Sequence, residues 1–384
     1  MTVLKIQDEL ICIVRSNEFA PDPRTERLAR FLAKSGARVT LLGLNRSSSS
    51  MNRELVQGVE IERLGFGRKS KLPAGDLTLS PFVLIWMVWS ITRLLRHRPA
   101  TVIASDFDAL LPSLFYFLLR KPRLIYNPHD FYADNLRHPT PNLLTVIVRT
   151  LERRYVGRAD ALILPDVSRL RQYPDSRLPS HFVEIVNSPN DLFVDKIPDA
   201  SKKLTVDGIS VFYAGQLDKT RGLMQLMNVV KREDGIHLIL AGHGVHEDQL
   251  IQLARTCRNI TFVGKIGHSD VMSLTQQCDV VFAMYDPRIP NNVYASPNKL
   301  FEAMACGKPI LVNDGTRLAE LVRTHECGIV LEYGNEEVLS AALRKLRDNR
   351  ILRDGLGDNG KKAFESNYVW RIMEDRLRAF FDSI

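Results

Sequence analysis

The residues best suited to chemistry lie in one stretch, 294–312, which reads YASPNKLFEAMACGKPILV. Ser296 is a good helix N-cap, and Pro297 fits the first helical position, where its missing N–H costs nothing. Asn298 and Lys299 then occupy the first turn. Gly307 closes the helix, Pro309 prevents its continuation, and an apolar strand follows. Free N–H groups and the helix dipole at such a start suit a phosphate. Lys299 adds a full positive charge where the dipole alone disfavours one, and an anion would be the reason. Glu302 shares a face with Asn298 and Lys299, while Leu300, Phe301 and Met304 cover the core side. A carboxylate one turn from a phosphate can accept hydrogen bonds from both hydroxyls of a ribose. The alternative is a Lys299–Glu302 surface pair, which contributes little.

Other chemical signals are weaker. Asp106-Phe107-Asp108 imitates a metal-binding D-x-D, but two carboxylates at that spacing after a strand are more often turn and cap residues, and no metal is expected. Gly242-His243-Gly244 lacks the full dinucleotide fingerprint and reads as a turn lining a crevice. The five cysteines, at 12, 257, 278, 306 and 327, are odd in number and form no C-x-x-C. That excludes a disulfide framework and a zinc site and points to a reducing compartment.

Strands and helices in alternation position these residues. Strands are expected at Ile11–Val14, Val39–Leu44, Val59–Leu64, Thr101–Ala104, Leu124–Tyr126 and Ala161–Leu164. Helices are expected at 24–35, 80–96 and 142–157. After a Pro-, Asp- and Ser-rich linker at 187–208 the rhythm restarts. Strands 210–214, 237–241, 260–263, 280–284, 310–312 and 328–331 alternate with helices 221–231, 246–256, 269–277, 298–305 and 317–325. This predicts an α/β chain with two doubly wound, Rossmann-like domains, 1–186 and 209–364, facing across a cleft. Ligands in such sheets bind beyond the carboxyl ends of the strands. Residues 365–384 are expected as a helix packing back on the first domain.

The 384 residues are 45% hydrophobic and 25% charged, which rules out a disordered, collagenous or coiled-coil chain. The net charge of +8 is uneven: residues 1–190 carry 27 Lys and Arg against 18 Asp and Glu, residues 191–384 carry 25 against 26. A basic first half implies an anionic partner there, or a surface that only aids solubility. FVLIWMVWSI (82–91), followed by Arg93, Arg96 and Arg98, is too short to span a bilayer. It and LLPSLFYFLLRKPR (110–123) either dip into an anionic membrane surface or pack on the sheet. The N-terminus has Asp8 and Glu9 where a signal peptide needs an apolar run, so a cytoplasmic protein is expected, peripheral on the inner face of the plasma membrane only if those apolar helices reach it and do not pack wholly on the sheet.

SPNKLFEAMACGKPI resembles the C-terminal signature of the family-4 (group 1) retaining glycosyltransferases of GT-B fold, in particular the bacterial cell-envelope type. The resemblance runs through nearly the whole chain: PDPRTERLARFLAKSGARVTLLG, ASDFDALLP, LIYNPHDFYAD, ERRYVGRADALILP and VEIVNSPN in the first half; VFYAGQLDKTRGL, LILAGHG, ITFVGKIGHSDV and CDVVFAMYDP in the second. It implies a donor site for a nucleotide-diphosphate sugar, UDP-sugar favoured, made by Gly215, Arg221, Ser296, Pro297, Asn298, Lys299 and Glu302. Glu302 would hold the ribose, and Arg221 and Lys299 the leaving diphosphate. His129 would stand near the sugar C1 and the acceptor, and Arg24, Asp106 and Asp130 on the acceptor side. The implied activity is transfer to a lipid-linked or polysaccharide acceptor without cofactor or metal.

Three positions depart from the family pattern. Tyr294 stands where a second glutamate is common, Gln216 where an arginine follows the strand glycine, and Asn17-Glu18-Phe19-Ala20 where paired glycines are usual. Other GT-B chemistry, such as sugar-nucleotide epimerisation or a small soluble acceptor, is the nearest alternative. A non-catalytic nucleotide-sugar binder is more remote, because a binder needs no cation aimed at a leaving group. A nucleic-acid partner is not expected, since the aromatics cluster in apolar helices.

Overall fold

The structure, a computed structural model, describes residues 5–17, 22–45, 51–65, 81–136, 142–174, 176–189 and 206–384. It divides into two compact units, one of Met1–Val186 with Glu374–Ile384 and one of Asn187–Met373. Most of the expected linker, 190–205, lies outside the described residues, as do Glu18, Phe19 and Ala20. The C-terminal helix Trp370–Ser383 rejoins the first unit from Glu374, not from 365. Residues 365–367 still belong to the preceding helix, Arg350–Asn367. Phe381 stacks on Phe31 at 6.5 Å within the first unit.

The first unit holds an eight-stranded sheet: β1 (Leu10–Val14), β2 (Arg38–Asn45), β3 (Arg53–Val56), β4 (Val59–Gly65), β5 (Thr101–Ser105), β6 (Arg123–Asn127), β7 (Ala161–Leu164) and β8 (His181–Glu184). The order is β3-β4-β2-β1-β5-β6-β7-β8, parallel throughout except for β3 against β4. The central strands are buried almost end to end, as the near-continuous apolar run Leu10–Val14 requires of a strand covered on both faces. Helix α1 (Pro23–Lys34) starts on Asp22, whose carboxylate accepts from the Thr25 N–H, with Pro23 in the first turn. The other main helices are α2 (Pro81–His97), α3 (Phe107–Arg120) and α4 (Asn142–Tyr155). Helices α2 and α3 bury one face, including Trp86, Leu94, Leu110 and Tyr116, and expose Leu84, Ile85, Val88, Phe115, Leu118 and Leu119 on the other. Each of these helices thus packs one face on the unit's core and leaves the other apolar face exposed. Among the described residues no helix is long and apolar enough to cross a membrane.

The second unit is a six-stranded, all-parallel sheet: β9 (Ile209–Gln216), β10 (Ile236–His243), β11 (Ile260–Gly264), β12 (Val280–Ala283), β13 (Ile310–Asn313) and β14 (Gly328–Leu331), in the order β11-β10-β9-β12-β13-β14. The direction of winding reverses between β1 and β5 in one sheet and between β9 and β12 in the other. Chains leaving adjacent strands in opposite directions open a crevice at their carboxyl ends. The chemistry-bearing residues leave these strands: Arg15 after β1, Asp106 after β5, Arg221 after β9, Tyr285 and Lys299 after β12.

Candidate functional site

In the second unit, β9 runs into a short 3-10 turn, Lys219–Arg221, started by Asp218, whose carboxylate accepts from the Thr220 N–H at 2.8 Å. Gly222 ends the turn in the left-handed region at φ 67°, and a Cβ there would press on the Met284 Cβ at 3.2 Å. This geometry brings the Arg221 guanidinium 4.3 Å over the Tyr285 ring, with Nη1 donating to Asn292 Oδ1 at 3.0 Å. The helix Asn298–Ala305 brings Lys299 to the same place from the β12 side. Its ammonium donates to Tyr285 Oη at 3.4 Å and lies 4.7 Å from the centre of the Tyr213 ring. Burial disfavours the ammonium, but Tyr285 and Tyr213 outweigh it and the pKa of Lys299 rises above the ordinary lysine value. Gly215 makes room for it: at φ 151° a Cβ there would lie 2.8 Å from Lys299 Nζ. Among the described residues no carboxylate pairs with Arg221 or Lys299. Two cations so placed repel each other unless an anion joins them.

The helix start differs from expectation. The residue flanking the helix is Pro297, with extended ψ of 152° and no capping side chain. Ser296 therefore falls one residue too early to cap. It is buried, its carbonyl accepts from Asn187 Nδ2 at 3.0 Å, and its hydroxyl has no partner. Asn298 is the first helical residue, so its N–H and that of Lys299 have no intrahelical acceptor. Glu302 is not on an open polar face: it is 5% exposed and pairs with His268 Nε2 at 2.9 Å. Lys299 and Glu302 turn to different partners, which removes the surface-pair alternative.

In the first unit, Asp106 is the centre of a dense charged network. It holds a positive φ of 71° at the end of β5, and its side chain does not cap α3. Oδ2 accepts from Arg15 Nη1 at 2.8 Å, and Oδ1 from the His129 backbone N–H at 2.8 Å. Burial, outweighing the nearby Arg15, lifts its carboxyl to about 6. Arg15 also pairs with Asp22. His129 is held neutral by burial and by the surrounding Arg15, Arg24 and Arg169, which push its pKa well below the ordinary value. Its Nε2 is buried and has no partner. Asp130 is half exposed and accepts from Arg169 Nη2 at 2.6 Å. Asp108 is buried, accepts from the Ser16 hydroxyl and caps the Ala109 N–H. It lies in the first turn of α3, and among the described residues no cluster of three metal-ligating side chains occurs.

Arg24 requires correction. It does not face outward toward an acceptor; it is buried and donates to Asn127 Oδ1 and to the carbonyls of Ile163 and Ile185. It braces the ends of β6, β7 and β8, and its surroundings lower its pKa to about 9, chiefly through burial. The structure also adds residues that the sequence reading did not single out. Tyr213, Tyr285, Asn292 and His268 surround Arg221, Lys299 and Glu302. Glu152, fully buried on α4, receives the N–H groups of Tyr132 and Ala133 just beyond His129. Their sequence signal is position: Tyr285 lies two residues beyond the end of β12, and Glu152 is a lone acid on the buried side of an amphipathic helix.

Two family models match the chain, one to each unit. "Glycosyl transferase 4-like domain" matches residues 20–186 and "Glycosyl transferases group 1" matches residues 196–363. A phosphatidyl-myo-inositol mannosyltransferase of Mycobacterium leprae is 24% identical over 298 residues, 74% of this chain and 75% of that protein. The sucrose-phosphate synthase structure from Thermosynechococcus elongatus superposes with a TM-score of 0.82 at 16% identity, covering 98% of both chains. Anabaena HepE in complex with UDP and glucose superposes with a TM-score of 0.73 at 14% identity, covering 98% of this chain and all of that one.

Proposed function

The chain belongs to the group 1 (family-4) glycosyltransferases of GT-B fold, enzymes of glycan biosynthesis, and from that premise we propose that it moves a sugar from a nucleotide-diphosphate sugar, with UDP-sugar favoured, to a lipid-linked or polysaccharide acceptor of the cell envelope. The observation that carries the donor reading is the pair Arg221 and Lys299 on one tyrosine at a helix start, with no carboxylate paired to either among the described residues. A diphosphate is the anion that such a pair fits. HepE with UDP and glucose supports UDP as the first nucleotide to test; the mannosyltransferase, named for a phosphatidyl-inositol substrate, supports a lipid-linked acceptor.

In this reading Glu302 accepts from the ribose hydroxyls, and Ser296 with the Asn298 and Lys299 N–H groups meets the phosphates. As the bond from the anomeric carbon to the phosphate oxygen breaks, its electron pair goes to the diphosphate. Arg221, Lys299 and the helix start stabilise that charge where it develops. The acceptor hydroxyl attacks from the same face, its proton passing to the departing phosphate oxygen, so configuration is retained. A glycosidase would instead need two carboxylates flanking the bond. Neutral His129, with its free Nε2, would meet the sugar or acceptor, and Asp106 and Asp130 belong to the acceptor side. No metal is required, because the cations come from the protein. The apolar faces of α2 and α3, with Arg96 and Arg120 at their C-terminal ends, support peripheral contact with an anionic membrane on its cytoplasmic side.

The test is thermal stabilisation by UDP, GDP, ADP and TDP, since a ligand of the native state raises apparent stability by mass action. A clear preference for one nucleoside diphosphate over its monophosphate is the expected result, with turnover unaffected by EDTA. No stabilisation by any of the four removes the donor reading. Activity lost to EDTA and restored by manganese removes metal independence alone.

A further inference from the structure

We infer that Tyr285 is a positioning residue whose ring and hydroxyl aim Arg221 and Lys299 at a single anion. The ring face carries the Arg221 guanidinium at 4.3 Å, and the hydroxyl takes the Lys299 ammonium at 3.4 Å. Tyr285 is itself held firmly. It is buried, and its backbone N–H donates to Asn313 Oδ1 at 2.7 Å, tying it to the end of β13. The next N–H, of Asp286, donates to the Thr220 carbonyl at 2.9 Å, locking the segment to the turn that ends at Arg221. Asn292 closes the frame: Nδ2 donates to the Asp286 carbonyl and Oδ1 accepts from Arg221.

A carboxylate at this position would also hold the two cations, but it would neutralise them and compete with the ligand. An aromatic ring attracts a cation through its quadrupole and leaves the net charge intact. Tyrosine therefore orders two like charges without quenching them. Tyr213 does the same for the other side of Lys299 at 4.7 Å, its hydroxyl being committed to the Gln216 carbonyl. Arg221 meets only the ring, whereas Lys299 meets the hydroxyl at 3.4 Å and the ring more distantly at 5.7 Å, so mutation separates the hydroxyl's role from the ring's.

This inference rests on the diphosphate reading, and the test keeps the two apart. Affinities for UDP and UMP, and for GDP and GMP, are measured by calorimetry on the full chain. In the wild type the diphosphate binds more tightly than the monophosphate. Tyr285→Phe keeps the ring and its packing and loses the hydroxyl bond to Lys299. Tyr285→Leu loses both. The diphosphate-to-monophosphate ratio should fall in Tyr285→Phe and fall further in Tyr285→Leu, within the range of about 2–30-fold that a cation–π contact spans. In a Lys299→Met background, Tyr285→Phe should cause no further loss, because the partner is already gone. In transfer assays kcat should fall more than donor KM rises. A wild type without preference for the diphosphate overturns the donor reading and this inference with it. A wild-type preference that survives in both Tyr285 variants overturns this inference alone. Tyr285→Phe carries the test even if Tyr285→Leu fails to fold.

Discussion

Glu152→Gln should make the first unit less stable at acid pH and more stable at alkaline pH, with the two curves crossing between about pH 5 and 6.7. Glu152 is fully buried, and its carboxyl receives four donors: Tyr126 Oη at 3.0 Å, Tyr173 Oη and Tyr132 N at 3.2 Å on Oε1, and Ala133 N at 3.2 Å on Oε2. Burial outweighs these bonds and lifts the pKa to about 8 from an ordinary 4.5. The unfolded chain releases this proton near 4.5 and the folded one near 8. Between those values the unfolded state binds fewer protons, so stability falls as pH rises, by at most about 1.4 kcal/mol per pH unit. Across the whole window the loss is on the order of 5 kcal/mol. Glutamine cannot ionise and escapes it, but its amide NH2 faces the Ala133 N–H, which costs about 1–3 kcal/mol at every pH. The assay is the urea midpoint of the first unit at pH 5, 6.5 and 8, followed by Trp86 and Trp89 fluorescence in a Trp370→Phe background. Subtracting wild type from variant cancels the titration of Asp106 and His129. A difference that stays flat from pH 5 to 8 would refute the argument that burial holds this proton. Activity should follow, since these bonds fix the segment just beyond His129.

Gly215→Ala should lower nucleoside diphosphate affinity by about 3–10-fold, because a Cβ 2.8 Å from Lys299 Nζ forces the ammonium off its seat in a site where charge separation is felt strongly. Strain at φ 151° should lower stability as well; a lower Tm with unchanged affinity would place Gly215 in the fold alone. Glu302→Ala should weaken nucleotide binding by about 1–3 kcal/mol and, the residue being buried against His268, should also lower Tm. Glu302→Gln retains the volume, and calorimetry on it separates lost ribose bonds from lost packing. The first unit should sediment with anionic but not neutral vesicles and be released by high salt, as attachment by surface charge requires; binding to neither would leave α2 and α3 without a membrane role.

The alternation of strands and helices was legible because apolar runs bounded by Gly, Pro and Asp are strong local signals, and β7, β14 and the helices 298–305 and 317–325 fall where the pattern puts them. Strand β3 was not. It is joined to β4 by Gln57 and Gly58, both at positive φ, in a two-residue hairpin, and a glutamine in the left-handed region gives a fainter signal than asparagine. Pro297 illustrates a different limit. Proline's φ fits either the first helical residue or the extended residue before it, and only ψ decides between them, so a one-residue shift turned an expected cap into a buried free hydroxyl. Burial was the least legible property. Arg24 and Glu302 carry charges that composition alone assigns to a surface, and what buries them is contributed from elsewhere in the chain: β6, β7 and the end of β8 around Arg24, His268 beside Glu302.

The two switch points differ in how their charges are settled, and the difference fits a division of labour. At the first, positive charge is answered locally: Arg15 by Asp22 and Asp106, Arg169 by Asp130, with Arg24 spent on carbonyls and an amide. His129 is kept neutral in their midst. What remains to meet a ligand is an uncharged nitrogen and carboxylate oxygens, groups that recognise hydroxyls and gain little from an anion. At the second, among the described residues, Arg221 and Lys299 are answered by aromatic rings, the Tyr285 hydroxyl and an amide, none of which neutralises their charge. Exchanging these characters has a clear consequence. A carboxylate placed at Tyr285 would neutralise the second site as the first is neutralised. On the proposed donor reading, the protein would then keep its fold and lose the preference for a diphosphate that this reading requires.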